Sequence, residues 1–210
     1  MIRVLSLSAL ALAVALASPA LASPTSLRDL RYERMIGQTT WYTCGPAAVA
    51  TLLSLYFGLP VSEADALEVA LAAMGEIAAV EESGVTALAL KAVLEGHGIQ
   101  TRGYRVTLEA LADYFQRGGL PVILHVTRPQ LHYVLAEGLV AGQLVLADPS
   151  FGRRLMPLVA VEQEKGFSGI ILVTLPGAEL AEYAVIAQRV TLAWARTRLA
   201  RLDNLRARIR

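Results

Sequence analysis

The sequence predicts an α+β fold in which N-terminal helices pack on an antiparallel sheet. Helix-forming segments with start and stop signals fill residues 44–95, and strand-like apolar runs dominate residues 121–174. The connections between those runs are short and rich in turn formers. Helices first and strands after is a segregated layout, not the alternation that builds a parallel sheet.

Taken in order, the chain opens with a short basic start, Met1-Ile2-Arg3, an apolar stretch Val4–Ala17 and the small-residue ending Ala20-Leu21-Ala22. Residues 1–22 therefore read as a secretory signal peptide, too short and wrongly flanked for a good membrane-spanning helix. An exported, periplasmic protein is expected. An uncleaved signal anchor, or peripheral attachment to the inner membrane, is the alternative. Residues 23–34 form a polar lead-in expected to pack loosely over the domain edge.

The first helix spans about Cys44 to Phe57 and stops at Gly58, with Pro60 beyond. Ser62, followed three residues later by Asp65, caps a second helix to about Ala73. Glu81-Glu82-Ser83-Gly84 is a polar loop. A third helix from about Thr86 to Glu95 gathers Leu90, Val93 and Leu94 on one face and ends at Gly96-His97-Gly98. A short strand over Ile99–Tyr104 and a helix over Thr107–Phe115 follow. Four strand-like runs come next, at Pro121–Val126, Leu131–Ala136, Gln143–Ala147 and Gly169–Thr174. Pro176-Gly177 then separates residues 176–210, a basic helical tail whose Ala178–Arg210 portion holds seven arginines against three acids. That helix either packs on the domain or docks as a basic amphipathic surface on an anionic membrane or a partner.

Composition narrows the function. A formal net charge of +1 argues against a dedicated nucleic-acid binder. One cysteine and three histidines, with no ligand spacing among them, leave no internal disulfide and point to neither a metal site nor a cofactor. In an oxidising compartment a lone cysteine pairs between chains or stays free for chemistry.

Cys44 has the setting that chemistry requires. Pro46 fits a first helical turn, so the thiol stands at a helix start, where free backbone N–H groups and the helix dipole favour a thiolate. A thiol nucleophile needs an imidazole base, and the base needs an acceptor to hold its tautomer. His132 opens one strand and Asp148 ends the next, so antiparallel pairing would set them side by side. His125, inside an apolar run, reads instead as a core or sheet residue, and His97 as a helix-end residue. The Cys44 N–H and the side-chain amide of Gln38 are the candidate oxyanion donors. Trp41 and Tyr42 either shield the cleft or simply pack.

Gln38-x5-Cys44-Gly45-Pro46, Ser83-Gly84, Leu120-Pro121, His132-Tyr133-Val134, Asp148-Pro149 and Phe167-Ser-Gly169 together resemble the C39 cysteine peptidase family in order and spacing. The resemblance covers about Arg31 to Leu175 and gives residues 35–175 as a C39-like domain. It implies a papain-like fold, a Cys44–His132–Asp148 triad and Gln38 in the oxyanion hole. The implied activity is endoproteolysis of a peptide or protein substrate, typically after Gly-Gly at the end of a leader. The added signal peptide and tail look more like stand-alone exported members, some of which accompany the secretion of fibre proteins. A different class stays open: a C39-like peptide-binding or chaperone module of a secretion system, with little proteolysis. Acyl transfer to an amine would use the same residues.

Overall fold

The computed structural model describes residues 25–75 and 83–209. The predicted signal peptide, residues 1–22, and Glu81-Glu82 of the predicted polar loop lie outside the described residues. Seven helices and six strands follow in chain order among the described residues: α1 (Leu27–Tyr32), α2 (Cys44–Tyr56), α3 (Glu63–Met74), α4 (Ala87–Gly96), β1 (Gln100–Arg105), α5 (Leu108–Gln116), β2 (Val122–Val126), β3 (His132–Val140), β4 (Gln143–Asp148), β5 (Gly152–Pro157), α6 (Leu158–Gln163), β6 (Phe167–Leu175) and α7 (Ala178–Ile209).

The α+β layout holds. The strands make one sheet in the order β1-β6-β2-β3-β4-β5, and every neighbouring pair is antiparallel. Alternate side chains point to opposite faces of a strand, and here both faces are covered. Ile123, Leu135, Ala147 and Leu172 join Leu52, Leu53, Leu90 and Leu94 beneath α2 and α4. Their neighbours Leu124, Val134, Leu146 and Ile171 face the other way and pack with Leu111, Phe115 and Val161 of α5 and α6. Two buried faces explain why the strands read as unbroken apolar runs. Truncating any of these leucines to alanine costs about 2–5 kcal/mol.

Three elements, α1, β5 and α6, were not anticipated. The lead-in contains α1, with Ser26 and Asp29 forming a reciprocal cap. It is tied down, not loose: Arg31 lies 3.9 Å over the Phe151 ring, and Gly152, at φ +100°, leaves no room for a Cβ against the Arg31 backbone 2.7 Å away. Residues 152–166, to which the sequence assigned no element, hold β5 and α6. The consecutive arginines of β5 hid its strand character. The tail forms a 32-residue helix whose Leu192 and Leu199 pack with Val140, Val145 and Ala195.

Helix α7 is also held by a buried polar network. Glu137 on β3 is fully buried and accepts from Tyr56 of α2 at 2.6 Å and from Arg153 of β5 at 3.2 Å. The Tyr56 hydroxyl meets Thr191 of α7 at 3.0 Å, and Gln188 donates to the Glu137 carbonyl at 2.9 Å. The Arg153 guanidinium stacks 4.1 Å from the Trp194 ring centroid. Burial pushes the Glu137 carboxyl up, against the opposing pull of Arg153 and Tyr56.

Candidate active site

Cys44 is the first residue of α2, with Thr43 in the capping position. The loop before it is held at both ends. Gln38 N–H donates to the Pro149 carbonyl at 3.0 Å, Thr39 N–H to Glu63 at 2.7 Å, and Thr40 N–H to the Thr43 hydroxyl at 3.1 Å. Just past the thiol, α2 and α4 pack closely: a Cβ on Gly45 would lie 2.8 Å from Leu90. Glycine lets the nucleophile's helix sit there. Cys44 is buried, 6% exposed as a residue.

His132 begins β3 and Asp148 ends β4, and the register Leu135↔Ala147 brings the two ends together. His132 Nε2 meets Asp148 Oδ1 at 2.8 Å. That contact occupies Nε2 and leaves Nδ1 as the ring nitrogen available to the neighbouring Cys44. Burial disfavours the imidazolium, but the hydrogen bonds and charges of Asp148 and Cys44 outweigh it and raise His132 to about 9. Burial likewise opposes the Asp148 carboxylate. His132, Lys165 and Ser150 overcome that penalty and hold Asp148 well below the usual carboxylate range.

Sequence reasoning missed what surrounds Asp148. Its Oδ1 also accepts from Ser150 N–H at 3.1 Å and Ser150 hydroxyl at 2.8 Å. Its Oδ2 takes Arg154 of β5 at 3.1 Å and Lys165 at 3.2 Å. Asp148 is fully buried, so both lone-pair sets have partners where water is excluded. The Ser150 position was visible in Asp148-Pro149-Ser150, but nothing local marks Arg154 or Lys165.

Gln38 stands at the loop's start, not among the cleft-lining residues. Its Nε2 donates to the Thr40 carbonyl at 2.7 Å, and its buried Oε1 has no hydrogen-bond partner among the described residues. One end of the amide is held and the other is not.

The cleft beside Cys44 measures about 490 Å³. Trp41 and Tyr42, Gly84 to Ala87, and Leu131, Tyr133 and Ile170 line it. Trp41 and Tyr42 both line the cleft, and Tyr42 also packs against the core. His125 sits on β2 as a sheet residue, part-buried, and it also lines this cleft. A thiol at a helix start, an imidazole paired with a carboxylate and a neighbouring cleft suffice for nucleophilic attack on a bound carbonyl.

Known proteins resemble this chain in sequence and in fold. The probable functional amyloid protease FapD of Pseudomonas aeruginosa is 30% identical over 152 residues, covering 71% of this chain and 64% of that protein. The protein of the same name from Pseudomonas fluorescens is 27% identical over 151 residues, with the same coverages. The match thus spans less than two thirds of either relative's length. The peptidase domain of Streptococcus ComA superposes with a TM-score of 0.57 at 24% identity, over 68% of this chain and 98% of that domain. A double glycine motif protease from an AMS/PCAT transporter, solved with a leader peptide, gives 0.54 at 24% identity over 68% and 90%. These structures share the fold. The pattern of the Peptidase C39 family matches residues 33–179, and the chain belongs to that family.

Proposed function

We propose that this protein is an exported cysteine endopeptidase whose triad is Cys44, His132 and Asp148. The observation that carries the reading is the buried 2.8 Å His132–Asp148 pair beside Cys44, which lines an open cleft. His132 Nδ1 takes the thiol proton, and the thiolate attacks the scissile carbonyl to form a tetrahedral oxyanion. The Cys44 N–H at the helix start donates to that oxyanion. Gln38 is the second donor we assign, its amide turning from Thr40 toward the substrate, a movement its partnerless Oε1 does not oppose. Collapse breaks the C–N bond as the imidazolium protonates the leaving amine. Water, deprotonated by His132, then hydrolyses the thioester.

The substrate we propose is a secreted or exported protein, a fibre or leader-bearing chain, cut after Gly-Gly. The name of the Pseudomonas relatives and the double glycine protease with its leader peptide support this. The exposed last turns of α7 carry Arg201, Arg206 and Arg208 beside Leu202 and Leu205, which suits contact with an anionic membrane surface or a secretion-system component.

Cys44→Ala tests the reading. Cleavage of an exported protein is expected to disappear, with circular dichroism and melting unchanged. Comparing the periplasmic and extracellular proteins of the two strains by mass spectrometry identifies the substrate. Full processing by the alanine variant would leave only the peptide-binding alternative.

A further inference from the structure

His125 is the cleft histidine that the triad leaves unused. It faces Tyr133 across the β2–β3 pair, with ring centroids 5.0 Å apart. Its Nδ1 lies 2.9 Å from the hydroxyl oxygen of Ser168 on β6. That hydroxyl donates its proton to the His125 carbonyl at 3.0 Å, and Ile170 N–H donates to the same oxygen at 3.2 Å. A hydroxyl has one hydrogen to give. The Nδ1 contact is therefore a hydrogen bond only when Nδ1 carries the proton, and a neutral ring then has a bare acceptor at Nε2. Burial and the charge of His132 both favour the neutral ring.

With the Nδ1 edge turned to Ser168, Nε2 occupies the other edge of a ring that lines the cleft with Cys44, Tyr133 and Ile170. A bare acceptor in a mostly apolar cleft selects a donor. An extended peptide presents backbone N–H groups at regular intervals, whereas a carbonyl or carboxylate would set lone pair against lone pair. We propose that His125 is a substrate-recognition residue whose unprotonated Nε2 accepts a hydrogen bond from a backbone N–H of the peptide in the cleft. This rests on the peptidase reading above.

Two electrophiles separate the cleft from the thiol in the full-length protein. Chloroacetone reads Cys44 alone; benzyloxycarbonyl-Leu-Gly-Gly chloromethyl ketone must also lie in the cleft. His125→Phe keeps a ring and removes the acceptor. It is expected to slow inactivation by the peptidyl reagent about tenfold while leaving the chloroacetone rate within about twofold. A second arm works on the wild type: N-methylating the reagent's amides one at a time costs about tenfold at the position that meets His125. That methyl costs nothing further in His125→Phe. An unchanged peptidyl rate in the variant, a parallel fall in both rates, or wild-type tolerance of every methyl overturns the assignment. So does a wild type that reacts no faster with the peptidyl reagent than with chloroacetone. Cys44 inert to chloroacetone is a separate failure: it removes the peptidase reading and His125's role with it.

Discussion

At the residue scale, the site turns on one carboxylate with five hydrogen bonds. Asp148 holds His132 through Oδ1 and is itself held through Oδ2 by Arg154 and Lys165. Lys165→Met frees part of that grip and removes a cation near the imidazolium. Cleavage is expected to slow about 3–10-fold, the alkaline limb of kcat/KM to move to higher pH, and Lys165→Arg to restore both. Stability should report the same pair. His132 is raised from 6.5 to about 9, so the folded protein binds the extra proton between those values and the unfolded chain does not. The stabilisation is complete below pH 6.5 and fades as pH rises through 9, a loss of up to about 3 kcal/mol. Urea unfolding across that range measures it, and Asp148→Asn should flatten the slope. The four proposed site residues were legible because each stands at a punctuation mark: a helix start, two strand ends and the loop leading to the thiol. Arg154 and Lys165 were not, because their roles arise from strand pairing that brings distant segments to one carboxylate.

At the scale of elements, β5 carries two adjacent arginines that work on opposite faces. Arg153 turns to Glu137 and Trp194 beneath α7, and Arg154 turns to Asp148. Strand alternation alone produces that division. Glu137→Ala leaves the Arg153 guanidinium buried without its carboxylate, and a loss of about 3–5 kcal/mol is expected in thermal or urea unfolding. The sequence reading placed the strands that bury both faces and missed β5, where charged residues replace the apolar run. It missed the short α1 for a similar reason: six polar-rich residues become a helix here through a capping box and the Arg31–Phe151 stack.

At the scale of the molecule, α7 belongs in part to the packed body. Ala184, Gln188, Thr191 and Ala195 are buried against α2 and the sheet, whereas residues 201–208 are exposed. Removing residues 201–210 is expected to leave the melting temperature within a few degrees. Removing residues 178–210 uncovers Tyr56, Glu137 and Val145, and a drop of more than about 10 °C, or loss of the soluble protein, is expected. Calorimetry of the two truncations measures both. Helical periodicity showed that a tail helix exists, but its docking depends on the polar groups of Glu137 and Tyr56, far away in sequence.

The sheet order β1-β6-β2-β3-β4-β5 also arranges events in time. Strands β2 to β5 are successive hairpins, and His132 and Asp148, paired inside one of them, are separated by only 16 positions. Strand β6 must return to wedge between β1 and β2, and α2 must come from the other end of the chain to lie on the finished surface. Loop-closure entropy therefore falls on the nucleophile and spares the base. A chain part-way through folding is expected to bring its imidazole and carboxylate together before the thiol joins them. Assembly of the proposed triad is therefore expected to wait on the last long-range contact, a timing set by the topology.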